Sequence, residues 1–141
     1  MTVTRADLYT QPKKQPEYFS DFLDSFVSSP VDGSLGKVIN ANSVKQALKN
    51  LVLTNLGERL YQPFIGTNIR ASLFEPNDIV TAINIKAHVE NVIKNYEPRV
   101  KDFVVTVEPS DEGQYMIINI VFYLINNPTP IDLTLNLRRV R

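Results

Sequence analysis

The spacing of apolar residues changes once along the chain, between Tyr96 and Phe103, and that change limits the fold more than any other feature of the sequence. Upstream, apolar positions recur with the period of a helix. Val44, Ala47, Leu48, Leu51 and Val52 stand at i, i+3, i+4, i+7 and i+8, so a helix over residues 44–53 carries one continuous apolar stripe. Asn42-Ser43 supplies an N-cap for it, and Asn55 and Gly57 are suitable terminators because both tolerate left-handed backbone. A second stripe of Ala82, Ile85, Val89, Val92, Ile93 and Tyr96 marks a helix over residues 78–95, capped by Asn77. Glu90 and Lys94 on it have the favourable i,i+4 order. Pro98 ends it, because proline drives the preceding residue out of helical geometry. Downstream the period falls to two. Phe103, Val105 and Val107 alternate with Val104, Thr106 and Glu108, and residues 131–137 alternate strictly. Residues 115–125 between them are apolar almost throughout, broken by Asn119, as in a strand covered on both faces.

Helices followed by strands imply an α+β fold. The expected architecture is two main amphipathic helices packed on a small antiparallel β-sheet, a meander of about three strands, with an extended N-terminal arm. Residues 1–41 form the arm and a docking segment, and residues 42–141 form a single α+β domain. Residues 1–18 are polar, with Pro12, Pro16 and the Lys13-Lys14 pair, and have no sustained period. From Tyr18 to Val27 the apolar spacing is helix-like, but the stretch is short and ends at Ser28-Ser29-Pro30. It reads either as a docking segment or as a local turn over the core. Asp32-Gly33 is a turn dipeptide, followed by a short strand over residues 35–39. Residues 57–70 form a long connection whose Leu60, Tyr61, Phe64 and Ile65 require part of it to pack inward. A helical turn over residues 71–74 precedes Pro76, and Asp111-Glu112-Gly113 makes a loop between strands.

Composition removes several classes of function. Fifteen Lys and Arg balance fifteen Asp and Glu, whereas a dedicated nucleic-acid binder needs a basic excess. Residues 42–101 carry eight basic and five acidic side chains, the pattern of a solvated helix face. Arg138, Arg139 and Arg141 cluster at the end. The chain has no Cys, which excludes disulfides, thiolate chemistry and Cys-ligated metals. No apolar run reaches the roughly 20 residues of a membrane helix, and the N-terminus lacks a signal peptide's apolar region. A soluble, intracellularly made, one-domain protein is expected.

Candidates for chemistry are few. His88 alone builds neither a metal site nor a Ser-His-Asp arrangement, and the five glycines form no phosphate-binding pattern. A glycosidase needs two carboxylates across a cleft. Glu58, Glu75, Glu97 and Glu108 are the candidates, and each has a simpler role as a cap, turn or ion-pair residue. No catalytic, cofactor-binding or metal-ligating residue is assigned. The unusual feature is Tyr96-Glu97-Pro98-Arg99. Arg99 there complements the helix dipole and can bond the last carbonyls, whereas Glu97 is disfavoured and needs a cation. Its own Arg99 in a local clasp can serve, and so can an Arg or Lys of a partner. Spacing does not choose between them.

In sequence order come the helix VKQALKNLVLTNLGERLYQPFIG, the segment SLFEP, a helix ending NYEPR, and strands ending YLINNPTPIDLTLNL. This order resembles the baseplate wedge and sheath-initiator family of contractile phage tails, which is related to a baseplate subunit of type VI secretion systems. The resemblance runs from about residue 43 to residue 137. Its most specific piece is YEPR after an amphipathic helix, supported by GER-x(3)-P-x(2)-G over residues 57–66. It implies a non-enzymatic, structural protein of the virion tail baseplate, made and assembled in the host cytoplasm and present in six copies. Such a protein joins the wedge to the tail sheath and templates the first sheath ring by sharing β-strands with sheath subunits. The implied partners are the tail sheath protein and the core-bundle proteins of the wedge, with a tail-tube contact left open for the arm; nucleic acid, membrane and cofactor are not among them. Glu97, Pro98 and Arg99 match the family's Glu-Pro-Arg motif and so become the expected partner-binding residues. Arg99→Ala or Glu97→Ala is then expected to leave the domain folded and to block incorporation. The Asn- and Ile-rich sequence and its INNP segment favour a phage over a secretion system. The alternative is a tail-associated peptidoglycan hydrolase, after a lysozyme label carried by some members.

Overall fold

Among the described residues, two short strands and a helix come first, a helical turn and a long helix follow, and three long strands come last. The computed structural model describes residues 18–30, 32–110 and 115–138. The expected arm over residues 1–17, the Asp111-Glu112-Gly113 loop, and Arg139 and Arg141 of the terminal cluster lie outside the described residues. Strands β1 (Ser20–Phe22) and β2 (Lys37–Ile39) pair antiparallel. Helices α1 (Asn40–Leu53), α2 (Ile69–Ser72) and α3 (Ile79–Tyr96) come next. Strands β3 (Val100–Pro109), β4 (Tyr115–Leu124) and β5 (Asn127–Arg138) then form an antiparallel meander with β4 in the middle. The fold is α+β, with two main helices on a three-stranded sheet.

The core lies between the inner face of that sheet and the two long helices. Val44, Leu48 and Val52 of α1 meet Ile85, Val89 and Ile93 of α3 over Val105, Ile118, Ile120 and Phe122. Each such side chain, fully withdrawn from water, contributes about 1.5–3 kcal/mol. Because side chains alternate along a strand, the register that pairs Val105 with Ile120 and Ile118 with Leu135 puts all four on the helix side. The opposite face of β4 carries Tyr115, Ile117, Asn119, Val121 and Tyr123, each half-buried. Helices therefore cover one face of β4 in this chain, rather than layers covering both.

The ends of the elements differ from the sequence expectation in informative ways. Helix α1 starts at Asn40, whose φ of 51° is left-handed, a conformation Asn tolerates better than most residues. Its cap position is Ile39, with no side-chain cap bond, so Asn42-Ser43 is inside the helix and does not cap it. Neither Asn55 nor Gly57 closes the helix. Thr54 is the C-cap, and its N–H and hydroxyl both donate to the Asn50 carbonyl, at 2.9 and 2.6 Å. Helix α3 is capped by Asp78, not Asn77, through a 2.8 Å bond accepted from the Thr81 N–H. Glu90 pairs with Lys86 at 3.8 Å instead of with Lys94. Residues 18–27 form a strand and a turn rather than a helix, because their backbone groups pair with β2, Gly36 and Asn40.

The connection between α1 and α2 is the largest departure. Its neck is closed by a parallel bridge between Asn55 and Thr67. The Thr67 N–H donates to Thr54 O and its hydroxyl to Val52 O, at 2.8 and 2.6 Å. Beyond that neck the loop is tied to the body at Phe64, whose carbonyl accepts the Tyr96 hydroxyl of α3 at 3.2 Å, but its large apolar side chains point to solvent. Leu60, Tyr61 and Phe64 are 91, 96 and 81% exposed, and Ile65 alone of the four expected residues is half-buried.

Candidate functional site

The Glu97-Pro98-Arg99 motif sits where α3 runs out. Glu97 is the C-cap of that helix, its N–H still bonded to the Ile93 carbonyl at 3.0 Å. Its own carbonyl accepts the Val100 N–H at 3.2 Å, so residues 97–100 make a turn with proline at its second position, which proline's fixed φ favours. That turn folds Arg99 back over Glu97. The Arg99 Nε donates to Glu97 Oε1 at 2.7 Å and one terminal nitrogen to Oε2 at 2.8 Å, a bidentate fork. The Glu97 carboxylate is 5% exposed, and a charge so placed persists because it is paired. The local clasp is thus formed within this chain. The guanidinium spends its donors on side chains rather than on the last helical carbonyls.

Arg99 does more than close Glu97. Its other terminal nitrogen donates to Asp21 Oδ2 of β1 at 2.8 Å and to the Ser43 hydroxyl of α1 at 3.2 Å. Ser43 itself donates to Asp21 Oδ2. The guanidinium carbon lies 5.9 Å from the centre of the Phe19 ring, within cation–π range. The Arg99 carbonyl accepts the Ile125 N–H at the β4–β5 turn at 3.2 Å. One residue therefore joins the end of α3, the start of α1, strand β1 and the sheet. Glu97 raises the Arg99 pKa further above its ordinary value, more than Asp21 does.

Asp21 and Ser43 could not be found from the sequence. Asp21 lies 78 residues from Arg99 and Ser43 lies 56, and neither is set off by a motif. Ser43 looks like a helix cap in sequence, but in the fold its side chain is fully buried and turned to Asp21. Pro98 is exposed.

The Ser43 hydroxyl, and after it Arg99, hold the Asp21 carboxyl below its usual 3.8. A depressed folded-state pKa gives stabilisation that is present above the unfolded value and lost as pH falls through the folded one. The attachment of β1 is therefore expected to stay constant from about pH 8 to about pH 5 and to loosen only under acid conditions below that 3.8. Titration of the Asp21 carboxyl carbon by NMR checks this, and a midpoint at or above the ordinary value would contradict it.

The other carboxylates weighed as candidates fall on separate elements. Glu58 accepts the Asn55 N–H at 2.8 Å in the loop neck, Glu75 follows α2, and Glu108 is exposed on β3. Glu97 is closed by Arg99. His88 is exposed on α3. Among the described residues no cluster of three His, Asp or Glu side chains could hold a metal ion, and no helix is long and apolar enough to cross a membrane.

Comparison with solved structures finds the fold elsewhere. A Geobacter sulfurreducens protein described as a candidate tail lysozyme superposes with a TM-score of 0.63 at 21% identity, covering 70% of this chain and 89% of that one. A chain of the type VI secretion baseplate complex gives 0.57 at 17% identity, covering 68 and 92%. A chain of the anti-feeding prophage baseplate also gives 0.57, at 19% identity, covering 87% of each. At such identities the likeness speaks to the fold alone. Sequence goes further. The baseplate wedge protein gp25 of Enterobacteria phage T4 is 30% identical over 98 residues, 70% of this chain and 74% of that protein. The family profile described as baseplate wedge protein gp25 matches residues 40–129, from the start of α1 into β5, with Glu97, Pro98 and Arg99 inside it. The chain belongs to the baseplate wedge protein gp25 family.

Proposed function

We propose that this protein joins the wedge of a contractile-tail baseplate to the tail sheath and templates the first sheath ring, by lending its sheet to strands from sheath subunits. Membership of the family makes the chain a structural component of the baseplate in the virion tail, in contact with other baseplate proteins. The finer role rests on one observation, the shape of the sheet. Among the described residues it ends on two strands, β3 and β5, each paired on one side only, and an edge strand is a template for another chain's backbone. In this reading six copies surround the tube, and Glu97, Pro98 and Arg99 face the core-bundle proteins of the wedge. Exposed Pro98 and the outer part of Arg99 are what a partner could touch, with Glu97 acting from beneath by fixing the guanidinium.

Density maps of intact particles test this. Density for the chain at the sheath–baseplate junction, with a sheath strand beside β3 or β5, is the expected result. Density at the puncturing tip would overturn it. The Geobacter sulfurreducens neighbour keeps a second reading open to test, that of a peptidoglycan hydrolase. Purified protein is expected to release no soluble fragments from cell-wall material across an acidic to neutral pH range, and release that one carboxylate substitution abolishes would reverse that expectation.

A further inference from the structure

Residues 18–24 are held to the body almost wholly by polar contacts, and the contacts read an extended backbone with two carboxylates. The Asn40 side-chain oxygen accepts the Tyr18 and Phe19 N–H groups at 2.9 and 3.4 Å. Gln46 donates to the Phe22 carbonyl at 2.7 Å and accepts the Asp24 N–H at 3.4 Å, so one amide grips the main chain twice. Arg99 takes the Asp21 carboxylate at 2.8 Å, and Asn50 donates to the Asp24 carboxylate at 2.7 Å. Apolar burial adds little. Phe19 packs partly against the core and Leu23 is half-buried, but Tyr18 and Phe22 are 60 and 59% exposed. A segment fixed this way loses little apolar burial on leaving, and local opening is easiest where such contacts are few.

We infer that Asn40, Ser43, Gln46, Asn50 and Arg99 form a receptor for an extended segment with an aromatic residue followed by carboxylates two and five positions later. Residues 18–24 fill this receptor in cis, and an acidic segment of a partner protein displaces them. The pattern is the one occupied now by Phe19, Asp21 and Asp24. Charge selects the occupant. Glu97 takes two of Arg99's three donor nitrogens, and the third can serve any carboxylate brought to it. This inference builds on the reading of Arg99 as a partner contact. Its test uses the isolated full-length protein, so it can fail while incorporation into particles stands, and the reverse.

The test pairs the double variant Asp21→Asn, Asp24→Asn with a labelled peptide of residues 17–26 of this chain. Tryptic cleavage after Lys37 should rise by about tenfold or more in the variant, as the closed strap gives way to an open one. The peptide should bind the variant, bind the unsubstituted protein at least about tenfold more weakly because its own segment competes, and lose binding when both of its aspartates are asparagine. Asn50→Ala in the double variant should weaken peptide binding without altering the melting midpoint. Unchanged cleavage would mean that the carboxylates do not hold the strap. Faster cleavage without peptide binding, or equal binding of the asparagine peptide, would mean that no carboxylate-reading receptor exists.

Discussion

Arg99→Ala is expected to destabilise the isolated protein by about 3–5 kcal/mol, the cost of removing one partner from a buried ion pair, with a fall in melting midpoint of roughly 10 °C. The reason is Glu97. Without the guanidinium its carboxylate, 5% exposed, keeps no cationic partner, and β1 loses the contact through Asp21. A protein of this size holds only about 5–15 kcal/mol in total, so the variant approaches unfolding at moderate temperature. This differs from the sequence expectation that alanine at 97 or 99 spares the fold, and it changes how the motif must be tested in particles. The double variant Glu97→Gln, Arg99→Gln removes both charges while keeping hydrogen-bonding side chains, and it is expected to recover at least half of the lost stability. If that variant folds and still fails to enter baseplates, the partner role of the motif gains support independent of folding. If Arg99→Ala melts within about 2 °C of the parent, less than 1 kcal/mol, the clasp is not structural.

Gly66→Ala should cost about 3 kcal/mol or more, while Gly57→Ala in the same loop should cost only about 1–2 kcal/mol. Both glycines have positive φ, 132° and 82°. They differ in what surrounds them. A Cβ at Gly57 meets nothing within 4 Å, whereas one at Gly66 would lie 2.5 Å from the Thr54 carbonyl oxygen. That carbonyl accepts the Thr67 N–H at 2.8 Å, so the loop neck must open before a methyl group fits. Urea unfolding of the two variants separates the cases. Equal midpoints would show that the neck yields freely and that the Asn55–Thr67 bridge holds little.

The elements with long, regular patterns were legible from sequence. The stripes of α1 and α3 and the alternation in β3 and β5 each describe one buried face, and a buried face is a property of local spacing. Caps were less legible, because Asn42, Ser43, Asn77 and Asp78 all have suitable side chains and the choice depends on where the preceding chain enters. At Asn40 the chain enters directly from β2, so the helix starts early and Ser43 is freed to meet Asp21. Leu60, Tyr61 and Phe64 misled for the opposite reason. Their composition argues for burial, but the neck hydrogen bonds of Thr67 set the loop outward, and nothing in the local sequence announces a hydrogen bond to Val52. At the site, Glu97, Pro98 and Arg99 could be singled out by their order. Phe19, Asp21 and Ser43 could not, since only the folded chain brings residues so distant in sequence to one guanidinium.

The start of β5 bears on how the protein behaves while it waits to be assembled. Between the pairs Leu124–Asn127 and Phe122–Ile131, Pro128, Thr129 and Pro130 have no partner in β4, and neither proline has an N–H to offer. Among the described residues, this leaves residues 132–138 of β5 free of proline for two copies meeting edge to edge, a ribbon of roughly 23 Å at about 3.3 Å per residue. Proline at 128 and 130 denies such a contact two of its backbone donors. The β5 edge is thus better suited to use inside a large assembly, where many other contacts hold the pieces together, than to pairing free monomers by itself. Along this edge, newly made protein is therefore partly shielded from pairing with its own copies before its neighbours arrive.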